Sequence, residues 1–439
     1  MIFLVTTLAI SAGGKSQVKA KPNIIIFFVD DMGWADWGAR NSDFNTPNLN
    51  QLKKDGIEFT RAYVATPTCS PSRASLLTGM QPVRFLMPRH VADAGAKNAK
   101  EEFNYWPTDP AKMPSRNWLP LEQITYAERL KEFGYYNQFI GKWHLGEEAY
   151  YPTHQGFDDA IGVTPFGQPG SYYPPYWKRE NPFPEAKDEY LSDLLTNKAV
   201  DFIKGYNKNK PFQLSFYHYG VHSPIIGKKE LIAQYKAKGW EEKYAEYGSM
   251  VTSVDQSLGK LRKALREKGI ANNTIIIFTS DQGGYFSNFP LRGMKLGGNT
   301  LGEGGARVPF LMCWPGQAKP GSVCNVPVQT LDVYPTLVEA ASGKPCTDAH
   351  IQGKSMIPHL KGGKLEDRKL YFYRAYEDQY AAIIDGDWKL IKYRKGDSEL
   401  YNIKKDSGEV SNLIYNHPTM AKKLMDDLNE WEKTAVPKY

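Results

Sequence analysis

Two apolar runs in this chain end in acids. Residues 22–29 (PNIIIFFV) stop at Asp30 and Asp31, and residues 273–279 (NTIIIFT) pass through Ser280 into Asp281, Gln282, Gly283 and Gly284. Carboxylates crowded together resist ionising unless a cation compensates, so acids joined by an amide oxygen suggest a hard metal, calcium or magnesium. Simple N-capping by Asp explains one acid per turn, but it explains a pair at one run and Asp-Gln-Gly-Gly at the other less well. A third feature is Cys69-Ser70-Pro71-Ser72-Arg73, with Leu77-Thr78-Gly79 downstream. A lone cysteine is usually a small buried hydrophobe. Here it opens an expected helix, where amide N–H groups and Arg73 would gather negative charge, and local chemistry alone suggests an activated thiolate. Lys142, His144, His222 and Lys295 complete the candidates. Each alone reads as structural, and their weight comes from occurring together and in order with the cysteine segment.

The elements that must position these groups follow from periodicity. The runs 22–29 and 273–279 are continuously apolar and β-rich, the pattern of strands buried on both faces of a parallel sheet. Pro47, Leu49, Leu52 and Gly56 mark a helix after the first strand, giving a βα unit. Helix-then-strand units are expected at 125–133 with 135–140, and at 188–203 with 212–217. Val251, Val254, Leu258, Leu261 and Leu265 recur at spacings of three and four, which predicts an amphipathic helix ending at Gly269. Such alternation indicates an α/β fold, and ligands of open parallel sheets sit beyond the carboxyl ends of the strands, where the acids fall. After about residue 350 the texture changes to short alternating segments (370–376 LYFYRAY, AAIID, DWKLIKYR) with a hairpin turn at Asp385-Gly386. A helix is expected over 418–433, so the C-terminal part reads as a small antiparallel sheet with one helix. The expected division is 1–20, 21–350 and 351–439.

Composition sets the class. The chain has 439 residues, 41% hydrophobic and 23% charged, which suits a large globular protein. A net charge of +7 is a modest excess, from which no nucleic-acid binding follows. Residues 2–10 (IFLVTTLAI), followed by Ser11, Ala12, Gly13 and Gly14, resemble the apolar core and cleavage region of a secretory signal, so a periplasmic or secreted protein is expected; the other reading is a buried first strand. No later run approaches the roughly 20 apolar residues of a membrane span, and no integral membrane segment is expected. Cys69, Cys313, Cys324 and Cys346 are too few for a disulfide framework and allow at most one bridge. Tyr172-Tyr173-Pro174-Pro175-Tyr176-Trp177 could stack on sugar rings or pack a Pro-rich loop, and the sequence leaves both open. His90, His154, Arg84 and Arg292 could contact a substrate, though each reads more readily as structural.

The Cys69–Arg73 segment with Leu77-Thr78-Gly79 resembles the signature of type I sulfatases, arylsulfatase-like members of the alkaline phosphatase superfamily, in which the cysteine is oxidised to Cα-formylglycine before folding. The resemblance extends over most of residues 22–435 and includes Asp30-Asp31, Gly141-Lys142-Trp143-His144, His222-Ser223-Pro224, Asp281-Gln282-Gly283, Lys295 and Glu303-Gly304-Gly305. It implies a large mixed, mostly parallel sheet flanked by helices, and a calcium ion held by Asp30, Asp31, Asp281 and Gln282 with the formylglycine at position 69. It implies that Arg73 holds the aldehyde hydrate beside Lys142 and His144, and that His222 and Lys295 grip the sulfate and assist the departing oxygen. The hydrate offers two hydroxyls: one attacks sulfur to give a sulfated enzyme, and the other, deprotonated by a base such as His144, drives sulfate out. The resemblance also implies a formylglycine-generating or sulfatase-maturating enzyme as partner. The substrate expected is a sulfated polysaccharide or oligosaccharide, from the aromatic insertion, the basic balance and the expected export. The alternatives are a phosphate or phosphonate monoester hydrolase of the same superfamily, and a non-catalytic glycan-binding protein if Cys69 is not matured.

Overall fold

Strand β1 (Asn23–Val29) shows why an unbroken apolar run was needed. Its alternate residues Ile24, Ile26 and Phe28 enter one core layer, and Ile25, Phe27 and Val29 enter another, all essentially fully buried. The computed structural model describes residues 20–296 and 299–439, so all but the last residue of the segment read as a signal lies outside the described residues. Helices Cys69–Thr78, Tyr126–Glu132 and Val333–Ser342 pack on the first layer. Helices Pro47–Asp55, Leu191–Gly205 and Glu242–Glu267 pack on the second. The last of these begins earlier than the five-residue stripe suggested, because Ala245, Tyr247 and Met250 continue its buried face. Tyr126–Glu132 starts at a capping box in which Thr125 and Glu128 satisfy each other's backbone N–H groups.

The sheet has eight strands in the order Ser322–Cys324, Ile57–Phe59, Phe310–Cys313, Thr274–Ser280, β1, Phe212–Tyr217, Tyr136–Gly141, Asp159–Ile161. Only Phe310–Cys313 runs antiparallel to its neighbours. The register decides what lies at the carboxyl edge. Val29 pairs with Ser280, so Asp30 and Asp281 emerge side by side, and Phe28 and Gly141 both pair with Tyr217, which brings Lys142 to the same edge.

The C-terminal sheet is antiparallel, with strands Lys369–Tyr373, Gln379–Asp385, Trp388–Tyr393 and Glu399–Asn402 in sequence order. Asp385 pairs with Trp388 across the expected hairpin, whose Gly386 adopts φ 59°, a left-handed conformation that favours glycine. One face of this sheet takes Leu424, Leu428 and Trp431 of helix Pro418–Ala435, and the other packs on Tyr63, Leu301 and Ala306 of the main body. The molecule is thus a mixed α/β fold with a second, antiparallel sheet. The four cysteines are unbridged, and among the described residues no helix is long and apolar enough to cross a membrane.

Candidate active site

Helix Cys69–Thr78 begins at Cys69, where Pro71 costs little because first-turn N–H groups lack helical partners anyway. Arg73 lies one turn on, four residues from Cys69, so both side chains share the face turned to the sheet edge. The Arg73 guanidinium is fully buried. Its Nη2 lies 3.0 Å from Asp281 Oδ2 and 3.2 Å from Asp30 Oδ1, and its Nη1 donates to the Lys142 carbonyl at 3.0 Å. Lys142 Nζ reaches Asp30 Oδ2 at 2.5 Å. Asp31 turns back at φ 61°, an uncommon conformation for a non-glycine residue, and its N–H donates to Asp281 Oδ1 at 3.0 Å. Its carboxylate meets Lys295 Nζ, lies 3.5 Å from His222 Nε2 and accepts from Gln282 Nε2 at 2.7 Å. The Gln282 amide also touches Cys69 Sγ at 3.1 Å. All ten residues singled out in the sequence therefore fall in one region, with His144 facing the same pocket as Cys69, His222, Gln282 and Lys295.

The charges are balanced by burial against neighbours. Burial opposes ionisation of Asp30, but Lys142, His222 and Arg73 outweigh it and hold the carboxyl well below the usual carboxylate range. Burial and the adjacent Asp30 carboxylate push Asp281 well above that range. Burial lowers the basicity of Lys295, yet the Asp31 carboxylate overcomes it and keeps the ammonium charged. The Cys69 thiol is pushed up to about 12, chiefly by burial, with Lys142 opposing and Asp30 adding. An activated thiolate, the reading from local chemistry, is therefore corrected: in this setting the thiol keeps its proton, because burial and two carboxylates outweigh the helix start.

Asp30, Asp31, Cys69 and His222 each bring a ligand atom within 4.8 Å of the others. Asp281 and Gln282 adjoin them through the bonds just given. Asp30 Oδ1 is buried and, apart from the Arg73 guanidinium at 3.2 Å, which is not directed at it as a hydrogen bond, meets no donor among the described residues. Three buried carboxylates, one with an oxygen held only by an ion pair, and an amide whose O and N ends exchange by a flip form a donor set that suits a hard divalent cation. From the sequence, His222 was expected to grip the sulfate and assist the departing oxygen; its position beside Asp31 puts it at the edge of this donor set as well.

His144 sits in the left-handed region at φ 56°, buried, and neither ring nitrogen has a protein partner. Burial, with Lys142 and His90, pushes its pKa well down, so the imidazole is neutral. Gly167 faces it so closely that a Cβ there would lie 2.5 Å from His144 Cε1, which requires glycine at that position. His222 Nδ1 lies 2.8 Å from the Ser223 carbonyl, which can only accept, so Nδ1 carries the proton and Nε2 faces Asp31. Gly283 must also be glycine: a Cβ would fall 2.1 Å from the Gly304 carbonyl, and its N–H donates to Gly305 at 2.9 Å, which locks the Asp281-Gln282-Gly283 turn to Glu303-Gly304-Gly305.

The pocket above Cys69 has a volume of about 500 Å³. Its wall includes Asp93, Trp106, Gln168, Tyr285, Arg374, Tyr376 and Glu377, none of which the sequence marked as a site residue: Arg374 and Tyr376 fall in a segment whose alternation signals only a strand, and the others lie on irregular segments. His90 joins them, whereas Arg292 is bound to Glu399 and Glu409, His154 is exposed away from the pocket, and Arg84 does not line it. The aromatic run resolves towards packing: Tyr172, Tyr176 and Trp177 are buried, and the Tyr172 hydroxyl meets the carbonyls of Tyr219 and His222. It supports the His222 segment from behind and supplies no sugar platform.

Comparison with known proteins agrees with this architecture. The family model described as Sulfatase matches residues 22–344, and one described as N-sulphoglucosamine sulphohydrolase, C-terminal, matches residues 300–434. Human N-acetylgalactosamine-6-sulfatase is 31% identical over 388 residues, covering 82% of this chain and 70% of the relative. Human arylsulfatase A is 30% identical over 466 residues, covering 93% and 86%. The crystal structure of Ps i-CgsB in complex with k-i-k-neocarrahexaose matches with a TM-score of 0.82 at 30% identity, over 94% of this chain and 92% of that one.

Proposed function

The chain belongs to the sulfatase family and is a sulfuric ester hydrolase, and from that premise we propose that it removes sulfate from a sulfated carbohydrate using Cys69 matured to formylglycine and a bound calcium ion. The observation that carries this reading is the convergence of Cys69 and Arg73, from one helix, with Asp30, Asp281 and Lys142, from three strand ends. The carbohydrate class is supported by relatives: one is named for an amino-sugar sulfate, and another was solved with a neocarrahexaose.

Asp30, Asp31, Asp281 and Gln282 would hold the cation, which supplies positive charge to offset that of the sulfate as it is attacked. Matured to a formylglycine hydrate, residue 69 would supply one hydroxyl as nucleophile and a second to expel sulfate. Arg73, Lys142 and Lys295 add fixed positive charge from buried positions, where it acts through a low dielectric. His144, neutral and with both nitrogens free, can take a proton from a hydroxyl at residue 69. His222 can give a proton from Nε2 to the leaving oxygen as the imidazolium; burial lowers its pKa, and the Asp31 carboxylate at 3.5 Å opposes that shift. The same proposal includes division of the chain into 21–350 and 351–439, export to the periplasm or outside the cell, and an encounter with a maturating enzyme.

The test is sulfate release from a panel of defined sulfated oligosaccharides by protein co-expressed with a maturating enzyme, with intact mass measured on the peptide containing Cys69. Release by the wild type and a loss of at least about 10³-fold in Cys69→Ala are expected. Faster turnover of a matched aryl phosphate than of the sulfate would favour the phosphate or phosphonate ester reading. An unmodified, inactive thiol in protein from its native host would favour a glycan-binding role.

A further inference from the structure

We propose that His90, held by Tyr376 and flanked by Trp106, is a substrate-recognition residue that donates a hydrogen bond to a hydroxyl or ring oxygen of the sugar carrying the sulfate ester. This rests on the carbohydrate reading above and extends it to a subsite. The Tyr376 hydroxyl accepts the His90 backbone N–H at 2.9 Å and also meets His90 Nδ1. Among the described residues the Tyr376 hydroxyl has no acceptor for its own proton other than Nδ1, so Nδ1 accepts and the imidazole proton resides on Nε2. Among the described residues no protein group accepts from Nε2, and the ring lines the pocket above Cys69. The imidazole stacks on Tyr376 with centroids 5.6 Å apart and planes 13° apart, meets the edge of Trp106 at 5.3 Å, and lies 6.5 Å from His144. Its orientation is therefore fixed from two sides before any ligand arrives.

The chemistry of the wall narrows the ligand. Burial, assisted by Arg89, Lys295 and Lys142 and opposed by Asp93, keeps His90 neutral, with a pKa near 4. A neutral N–H suits an uncharged oxygen. Among the described residues the one wall cation beyond the sulfate-binding floor, Arg374, is tied to Glu377 at 2.7 Å, and Asp93 adds a further carboxylate. Carboxylates accept from hydroxyls and repel a second sulfate or a uronate. Trp106, 36% exposed, adds an apolar surface of the kind that covers the C–H face of a pyranose. These features together match a hydroxyl-bearing ring with one sulfate directed at residue 69. An aryl ester has no hydroxyls to match them.

The test uses the matured full-length enzyme and compares kcat/KM on a monosulfated monosaccharide with that on an aryl sulfate. His90→Ala should shift the ratio of the two values by about ten-fold or more towards the aryl ester, through KM on the sugar, as expected when a buried polar partner is lost. His90→Gln, which retains an N–H, should recover part of the loss, and Tyr376→Phe, which frees the tautomer, should shift the ratio in the same direction by less. Equal losses on both substrates would overturn the proposal, since His90 would then serve the sulfate or the fold. Should His90→Ala not fold, Trp106→Ala and Tyr376→Phe carry the same comparison. If wild type cleaves neither ester, it is the sulfatase reading that has failed. The subsite is then judged by calorimetric titration of the sugar, where affinity unaltered by Tyr376→Phe and His90→Ala overturns it.

Discussion

Of two clusters of buried charge among the described residues, one at the edge of the main sheet and one beneath the C-terminal sheet, the first opens to a cavity and the second does not. At the sheet edge, Asp30, Asp31 and Asp281 face Arg73, Lys142 and Lys295. Between the C-terminal sheet and the main body, fully buried Lys389 bridges Glu303 at 3.0 Å and Glu409 at 2.9 Å. Tyr63 donates to Glu303, and Arg292 ties Glu409 to Glu399. Both clusters contain one carboxylate pushed up and one pushed down in pKa by burial and neighbours. Perturbed acidity is therefore not what distinguishes a site. The first cluster lies beyond strand ends beside the pocket and next to a histidine with two unpartnered nitrogens, whereas the second joins two sheets and is closed by them.

This contrast can be broken by substitution. Asp281→Asn should lower sulfate release by at least about 10²-fold, because it weakens the donor set and removes a partner of Arg73. Calcium added to chelator-treated wild type should raise its thermal midpoint, by about 2.7 kcal/mol of stability at a hundred times Kd, and this rise should vanish in Asp281→Asn. An equal rise in both proteins would show that the cation binds elsewhere. Lys389→Met should do the reverse, costing about 3–5 kcal/mol in urea unfolding by leaving two carboxylates unpaired, with activity per folded molecule within about three-fold. Activity lost with stability intact would make the two clusters one functional unit.

A smaller effect sharpens the comparison with a third buried group that belongs to neither cluster. His218 packs against Phe27 and Phe216 and accepts the Gly220 N–H at 2.8 Å; burial lowers its pKa from 6.5 to about 4. The unfolded chain binds this proton first, so the contribution to stability is intact above pH 6.5 and declines as pH falls towards 4. The loss is up to about 3 kcal/mol. His218→Asn, which can still accept from Gly220, should flatten that part of the stability profile measured by denaturant midpoints, and an unchanged slope would assign it to other groups.

The sheet and the candidate ligand acids were legible because one physical pattern, an apolar run terminated by acid, encodes both a doubly buried strand and the place where it stops. The pairing of Val29 with Ser280 then brought Asp30 and Asp281 together, as the parallel-sheet reading required. Periodicity also located helix Glu242–Glu267, but it placed the start late because Glu242, Lys243 and Tyr244 mask the continuing stripe. The pocket wall was not legible. Tyr376 and Arg374 follow the end of strand Lys369–Tyr373, and only the packing of the C-terminal sheet on the body carries them to residue 69. The aromatic run could not be resolved either, since composition does not tell a buried Tyr172 from an exposed one.

The strand order has a consequence for the time course of synthesis. Both sheet neighbours of β1 are distant in sequence, Phe212–Tyr217 and Thr274–Ser280, so the centre of the sheet cannot close until about two-thirds of the chain has left the ribosome. At roughly 5–20 residues per second, the segment around Cys69 stays accessible for on the order of ten to forty seconds, and afterwards the thiol lies beneath the finished pocket. A maturating enzyme of the kind proposed above would have to reach Cys69 within that window, and slowing translation between residues 80 and 280 should then increase the fraction of chains in which residue 69 is modified.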